Sequence, residues 1–303
     1  MQMHSQPTQA AHRPEAAPPT AELEVGVVGY LVPKSRNAWR VHSVFANACN
    51  FSCDDGLVTL VAPRSGRGPT LLSLRRSPPR RLESLFTVGE VLSWLAMTLR
   101  TARVALRFDA ADIWSPPAPR THTMPMQIEA NLAVAFERLA FGRQQRPGVL
   151  DDRCAPVVDA LVHATRRLDG KAALRAVGHL VGLGQGLTPA GDDFLVGLLA
   201  ALDTFANDPA RRTYRDLLRA AVRRLATRTT PIAAHYLCLA AAGHYLEVLV
   251  DVREAVLCAT DRARLLDAVD AALGLGATSG ADMLSGLLHT IEAWLPGATV
   301  IEH

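Results

Sequence analysis

Lysine is almost absent from this chain of 303 residues. Of its 32 basic residues, only Lys34 and Lys171 are lysine and the others are arginine. An excess of arginine together with alanine is typical of a genomic composition bias, so the basic residues do not indicate nucleic-acid binding. The formal net charge of +3 at pH 7 is close to balance. We therefore predict no nucleic-acid partner.

Long apolar runs are also lacking. The most apolar stretch, residues 236–250, is interrupted by His244 and Glu247, whereas a membrane helix needs about 18 or more consecutive apolar residues. Near residue 1 there is no basic segment followed by a short apolar run, which is the pattern of a secretory signal. We expect a cytoplasmic protein with no membrane partner.

Cysteine is too scarce and too irregularly spaced for a disulfide-stapled fold. The five cysteines are Cys49, Cys53, Cys154, Cys238 and Cys258. An odd number in a long chain indicates a reducing compartment. Because no second pair lies near Cys49 and Cys53, no zinc site is predicted.

The composition provides for a sizeable core, with 49% apolar and 20% charged residues. Residues 1–22 are rich in proline, alanine, glutamine and histidine and are predicted to be a disordered tail. Residues 23–120 are predicted to form a β-rich domain, and residues 121–303 an all-helical domain rich in alanine and leucine. The predicted fold class is α+β.

Turn signals separate short strand-like runs in the β-rich region, and Asp55-Gly56 is the clearest hairpin signal. Val88–Thr98 is predicted as one helix inserted among the strands. From Met126 onward apolar residues recur at helical spacing. Further helices are predicted over residues 152–168, 171–181, 191–206, 210–227, 231–249, 261–273 and 281–294.

The most informative segment is GLGQGLTPAGDDFLVGLL, residues 182–199. Glycine permits positive φ angles and close backbone approach, and successive N–H groups of such a loop form an anion-binding concavity. The helix that follows adds free N–H groups and a positive dipole end. The spacing matches neither a Walker motif nor a dinucleotide fingerprint. The ligand-binding residues predicted here, for phosphate or a similar anion, are Gly184, Gly186, Thr188 and Gly191.

Two adjacent carboxylates, Asp192 and Asp193, fall at the start of the predicted helix. Aspartate caps helices and complements their dipole, so a purely structural role is one interpretation. Two carboxylates would repel a bound phosphate unless they hold a bridging cation such as Mg²⁺ or accept hydrogen bonds from a substrate amide. We predict that both are catalytic, with Mg²⁺ as a candidate cofactor and the identity of any metal left open.

A weaker copy of this segment follows at residues 274–288, GLGATSGADMLSGLL. Glycines, a threonine, an aspartate and a Gly-Leu-Leu triplet recur in the same order. We interpret the two segments as an internal repeat. The alternative is a chance similarity between two sequences rich in glycine, leucine and alanine. The two helices are predicted to lie side by side with both N-termini facing one pocket. This copy is predicted to contribute the ligand-binding residues Thr278, Ser279 and Gly280 and the catalytic residue Asp282.

In the β-rich region, Asn47 and Asn50 flank a stretch of small residues. They are candidate donors of amide hydrogen bonds to a ligand, and turn or strand-edge roles are the alternative. The chain has no serine-nucleophile elbow, HExxH zinc helix or kinase motif set.

The segment 182–202, Thr230-Pro231 and the run from Gly276 to Asp282 together resemble one bacterial family. It is the family of AllH-like subunits of oxamate carbamoyltransferase, from anaerobic allantoin degradation. The pieces FANACN (residues 45–50) and Gly68-Pro69 are also similar to that family, so the resemblance covers most of the chain from about residue 23.

The resemblance implies a multi-subunit carbamoyltransferase, which exchanges a carbamoyl group between an N-carbamoyl compound such as oxalurate and phosphate. The products are oxamate and carbamoyl phosphate. The implied partners are phosphate or carbamoyl phosphate and two further subunits, one similar to acyl-CoA synthetases of the FdrA type. A homo-oligomer is the other assembly considered.

The residue chemistry agrees with this expectation, because transfer to phosphate needs a phosphate cradle and donors for a developing oxyanion. Two alternatives stay open. One is a non-catalytic ligand-binding or assembly subunit, and the other is a metal-dependent hydrolase that uses Asp192 and Asp193.

Overall fold

The computed structural model of the chain describes residues 20–53, 56–63, 65–118, 125–145 and 154–295. A region of strands with one short helix is followed by a region of helices, which confirms the predicted α+β class. The strands are β1 (Ala21–Gly29), β2 (Trp39–Val44), β3 (Ala48–Cys53), β4 (Gly56–Val61), β5 (Leu71–Leu74), β6 (Val91–Leu95), β7 (Thr98–Arg100), β8 (Val104–Arg107) and β9 (Asp112–Trp114). The helices are α1 (Leu82–Leu85), α2 (Pro125–Gln145), α3 (Ala155–Arg167), α4 (Gly170–Leu180), α5 (Ala190–Phe205), α6 (Pro209–Leu225), α7 (Pro231–Ala241), α8 (Glu247–Cys258), α9 (Arg262–Leu273) and α10 (Ser279–Trp294).

Strand β1 closes the sheet on itself. The strand order is β5-β4-β3-β2-β6-β7-β8-β1-β9, and β1 pairs with β5 as well. It changes partner along its length. Its first half runs parallel to β8, and its second half runs antiparallel to β5 on one side, with an irregularity between Val25 and Val27, and parallel to β9 on the other. The enclosed side is filled by large apolar side chains that include Trp39, Phe51 and Leu72.

The hairpin predicted at Asp55-Gly56 agrees with the antiparallel pairing of β3 and β4, in which Cys53 lies opposite Gly56. Residues 54–55 themselves lie outside the described residues. The helix predicted over Val88–Thr98 is wrong, because Val91–Leu95 forms strand β6 between β2 and β7. Positive φ angles at Gly89 (86°) and Ala96 (51°) bound this run, so what remains is too short for a stable helix.

The single helix predicted over residues 231–249 is also wrong, because the chain turns between α7 and α8. Gly243 has a φ angle of 86° at this turn, which favours glycine and interrupts helical geometry. The other predicted helices are present, with ends displaced by no more than about three residues.

The predicted domain limits stay predictions. Residues 1–19 of the predicted tail and the limit near residue 120 lie outside the described residues. Strand β1 begins at Ala21, slightly before Leu23, where the sequence predicts that order begins.

The sheet is held directly against the helices by polar contacts to α7 and to the α7–α8 turn. His235 Nε2 lies 2.9 Å from the Thr70 hydroxyl, and His244 Nδ1 lies 2.7 Å from the Tyr30 hydroxyl. The N–H of Glu247 donates to the carbonyl of Arg67 at 2.9 Å. These contacts fix α7 between the sheet and the remaining helices.

Helices α5 and α10 form the centre of the helical region and are buried along nearly their whole length. They cross at Gly197 and Gly286. A Cβ added to Gly197 would lie 1.8 Å from the Met283 carbonyl oxygen, and one added to Gly286 would lie 2.0 Å from the Phe194 carbonyl oxygen. The two backbones are therefore in direct contact, and only glycine fits at either position.

Replacing Gly197 or Gly286 by alanine is expected to lower the free energy of unfolding by about 2–4 kcal/mol, because the new methyl group must push two backbones apart. The measurement is urea unfolding at constant m-value. Gly178→Ala on α4 is the matched control, since nothing lies within 4 Å of its added Cβ. That change should be neutral or stabilise by roughly 0.5–1 kcal/mol. Wild-type stability in both crossing variants would contradict the close approach.

Candidate functional site

The first glycine-rich loop depends on backbone angles that favour glycine. The φ angles of Gly182, Gly184 and Gly186 are 77°, 121° and 88°, all in the region that other L-residues rarely adopt. The loop closes where the N–H of Gly191 donates to the Leu183 carbonyl at 2.9 Å. It thus delivers the chain tightly into the N-terminus of α5.

The second loop makes matching contacts. The N–H of Gly280 donates to the Leu275 carbonyl at 3.1 Å, as Gly191 does to Leu183. A Cβ on Gly280 would lie 1.8 Å from the carbonyl oxygen of Ala272 in the preceding helix, and a Cβ on Gly191 would lie 2.2 Å from that of Leu180. The two segments therefore share a local construction, while their origin as an internal repeat stays a prediction.

The N-termini of α5 and α10 lie side by side, as the sequence predicts. The hydroxyl oxygens of Thr188 and Ser279, which stand at the two helix starts, are 2.8 Å apart. Together with the crossing at Gly197 and Gly286, this contact shows that the two helices run in the same general direction. Their positive dipole ends repel one another, and carboxylates in the first turns offset that repulsion.

Asp192 holds the first loop in place. It is 1% exposed, and its Oδ1 accepts a hydrogen bond of 2.9 Å from the Gly182 N–H. Its Oδ2 accepts one from the Thr229 hydroxyl. Burial raises the pKa of Asp192, and these two hydrogen bonds lower it. Both oxygens are already engaged with the protein.

Asp193 is in a different state from its neighbour. It is 2% exposed, and its Oδ2 finds no hydrogen-bond partner among the residues that the structure describes. Burial raises its pKa well above the ordinary value, and the charges of Asp282 and Asp192 raise it further. The hydroxyls of Ser279 and Thr188 act in the opposite direction. A carboxyl group in this environment is favoured in its protonated form.

Asp282, the corresponding residue of α10, is completely buried. It faces a cation that the sequence analysis missed, Arg143 at the end of α2. Burial lowers the pKa of the Arg143 guanidinium, and the charge of Asp282 opposes that shift. No motif surrounds Arg143, and only the packing of α2 against α10 places it here.

The cluster at the two helix starts consists of Thr188, Asp192, Asp193, Ser279, Asp282 and Arg143. A series of polar side chains connects this cluster with the sheet. The Asn50 amide donates to the Ser43 hydroxyl at 2.9 Å, and its oxygen accepts from the Thr59 hydroxyl at 2.6 Å. Burial raises the pKa of Tyr236, a hydrogen bond with Thr59 lowers it, and the charge of Asp193 raises it. Tyr236 therefore lies between strand β4 and Asp193.

The structure brings together most, but not all, of the predicted site residues. Thr188, Ser279 and the three aspartates meet at the two helix starts. Asn50 is buried and engaged within the sheet, whereas Asn47 lies exposed in the β2–β3 turn. Thr278 is half-buried at the residue before α10 and makes no side-chain capping bond. Ligand binding by any of these residues stays a prediction.

Two surface cavities lie elsewhere. One of about 430 Å³ is lined by Arg219, Ala220, Arg223, Arg224 and Ala241. The other, of about 310 Å³, lies at the β6–β7 turn and over β7 and β8, and its lining includes Leu95, Met97 and Arg107. Neither includes the aspartates, which are closed off in the isolated chain.

Within the described ranges, no group of three or more His, Cys, Asp or Glu side chains is arranged to hold a metal ion. None of the helices in the same part of the chain combines the length and the apolar character that a membrane span requires.

The fold and the cluster define the chain as an α+β protein in which two loop-helix units converge on buried carboxyl groups. A family model described as oxamate carbamoyltransferase subunit AllH matches residues 180–291, and the model of the AllH family N-terminal domain matches residues 24–113. The chain belongs to the AllH family. Its family thus makes it a subunit of a carbamoyltransferase complex. No solved structure matches the chain.

Asp193→Asn is expected to stabilise the protein at pH 7 by an amount on the order of 1 kcal/mol, and Asp192→Asn to destabilise it by about 2 kcal/mol. Asparagine at 193 removes a carboxyl group that must be either protonated or buried as a charge, and both cost free energy at pH 7. At 192 it replaces an acceptor of two hydrogen bonds. Urea unfolding of both variants measures the difference.

The pH dependence has a definite sign. The folded-state pKa of Asp193 lies above the ordinary value of 3.8. Between about pH 4 and that raised pKa, the folded state binds more protons than the unfolded state does. The free energy of unfolding therefore falls as the pH rises through this range. The stability advantage of Asp193→Asn over wild type should grow with pH and vanish below about pH 4. Equal destabilisation by both variants at every pH would contradict the assignment.

Proposed function

We propose that this chain carries the phosphate-binding part of the carbamoyl-transfer site in its complex. The observation that supports this is the meeting of two helix N-termini, two hydroxyl groups and a carboxyl group that favours protonation. Helix N-termini and loop N–H groups bind phosphate, and hydroxyls at 188 and 279 add donors at the same place.

The proposed reaction transfers a carbamoyl group from an oxalurate-like compound to phosphate. A phosphate oxygen attacks the carbamoyl carbon, the bond from that carbon to the amide nitrogen breaks, and the nitrogen takes a proton. Carbamoyl phosphate and oxamate result. The loop N–H groups of Gly184 and Gly186, with Thr188, Thr278 and Ser279, hold the phosphate and stabilise the developing oxyanion. The N–H groups of Gly191 and Gly280 shape the two loops instead, because they donate to the Leu183 and Leu275 carbonyls.

The aspartates take separate roles in this proposal. Asp193 supplies the proton to the leaving nitrogen, because a protonated carboxyl group is a general acid. Asp192 is a positioning residue that holds the first loop through Gly182 and Thr229. Asp282 balances the charge of Arg143. A Mg²⁺ ion bound with the phosphate stays a prediction from the sequence.

The proposed partners are two further subunits, one of them similar to acyl-CoA synthetases of the FdrA type, with a homo-oligomer as the other assembly. A second candidate function, a non-catalytic assembly subunit, is favoured by one observation. The three aspartates are at most 2% exposed, so substrate reaches them only if the chain opens or a partner rearranges it.

The test uses the complex assembled from this chain and its partner subunits. Carbamoyl phosphate and oxamate are supplied, and release of phosphate is measured together with formation of the N-carbamoyl product. Asp193→Asn is expected to lower kcat by roughly 10²–10⁴-fold, the range for loss of a general acid. Asp216→Asn, on the exposed face of α6, is the matched control and should leave kcat unchanged.

The two candidate functions differ in this experiment. An unaltered kcat for Asp193→Asn in an active complex would place the chemistry in a partner and support the assembly role. A complex that transfers no carbamoyl group in either direction would overturn the proposed reaction.

A further inference from the structure

Arg143 has buried hydrogen-bond donors that the described part of the chain leaves unused. Its Nε and Nη2 atoms are both inaccessible to solvent, and neither has a hydrogen-bond partner among the described residues. A buried charged donor without an acceptor costs stability. A position that keeps such a group is better explained by a ligand than by packing.

The packing of α2 places this guanidinium at the helix starts. The rings of Phe136 on α2 and His289 on α10 are 5.0 Å apart. Arg143 lies two helical turns after Phe136, and Asp282 two turns before His289, so the antiparallel helices bring Arg143 level with Asp282. The neighbouring Gly142 is pressed against Leu273, at 2.9 Å from an added Cβ, immediately before the second glycine-rich loop.

Asp193, in the same cluster, has the complementary hydrogen-bonding requirement. Asp193 Oδ2 is buried and requires a donor, whereas the two Arg143 nitrogens require acceptors. The two side chains do not satisfy one another. A ligand that carries an anionic oxygen pair at one end and an amide N–H at the other would satisfy both.

We propose that Arg143 binds the oxyanion end of an amide-bearing ligand in this cluster, while Asp193 Oδ2 accepts a hydrogen bond from the ligand's amide N–H. The guanidinium fork matches a carboxylate or a phosphate equally well in geometry. Carbamoyl phosphate and oxamate each combine such an oxyanion with an NH₂ group. The inference rests on the proposed function for the identity of the ligand and assigns the residues that hold its two ends.

The charges in the cluster permit an anion to bind. Asp192 is engaged with Gly182 and Thr229, and Asp282 lies beside Arg143 itself. Protonated on Oδ1, Asp193 carries no negative charge, and its unprotonated Oδ2 still accepts the hydrogen bond from the ligand. The two helix N-termini add positive potential on the same side.

The test is calorimetric titration of the complex, assembled from this chain and its partner subunits, with three probes: inorganic phosphate, oxamate and carbamoyl phosphate. Arg143→Gln is expected to weaken the binding of all three by at least about tenfold, the effect of losing a charge-assisted hydrogen bond. Arg143→Lys keeps the charge without the fork and should give an intermediate loss. If circular dichroism shows that Arg143→Gln does not fold, the affinities of Arg143→Lys provide the test.

Two further variants sharpen the assignment. Arg138→Gln removes a charge from the same helix at an exposed ion pair with Asp270 and should leave all affinities unchanged. Asp193→Leu should weaken oxamate and carbamoyl phosphate, which have an amide, and leave phosphate unchanged. The ratio of oxamate to phosphate affinity therefore reports on Asp193 and not on overall stability.

Wild-type affinity in both Arg143 variants would overturn the inference, as would a wild-type complex that binds none of the three probes at tens of millimolar. Either result is separable from failure of the proposed function. Carbamoyl transfer by the assembled complex, with binding unaltered in Arg143→Gln, overturns only the Arg143 assignment. Loss of oxyanion binding in that variant, with no transfer by the complex, overturns only the proposed reaction.

Discussion

The direct contact between the backbones of α5 and α10 is the constraint on which the helical region depends. Glycines at 197 and 286 leave no side chain between the helices, so each backbone packs on the other as closely as atoms permit. Two backbones packed this closely can cross in few other relative positions. The crossing fixes the relative position of the two helices, and with it the distance between their first turns, where Thr188 meets Ser279.

The electrostatics of the cluster follow from that geometry. Two helices that start side by side bring like dipole ends together, and three buried carboxyl groups lie where those ends meet. Carboxyl groups so close together do not all ionise readily. Asp192 is satisfied by its own loop and Asp282 faces Arg143, whereas one oxygen of Asp193 has no partner among the described residues. The proposed function draws on this imbalance, which a set of helix caps alone does not require.

The sequence predicts these features unevenly. Gly182, Gly184 and Gly186 are visible because positive φ angles leave few residue choices, and α5 and α10 are visible from their periodicity. Strand β3 is not, because Ala48, Asn50 and Cys53 have little strand propensity and are recruited by pairing with β2 and β4. Arg143 is not predictable either, because it reaches the site through packing across more than a hundred residues of sequence.

The position of α10 along the chain has a consequence for synthesis. Helix α5 buries apolar residues on nearly every side, yet its principal partner is separated from it by α6, α7, α8 and α9. At roughly 5–20 residues per second, a ribosome completes α10 several seconds after α5 has formed. Through that interval α5, an apolar helix whose backbone is bare at Gly191 and Gly197, lacks its partner. During synthesis the chain therefore exposes apolar surface that only its last helix covers.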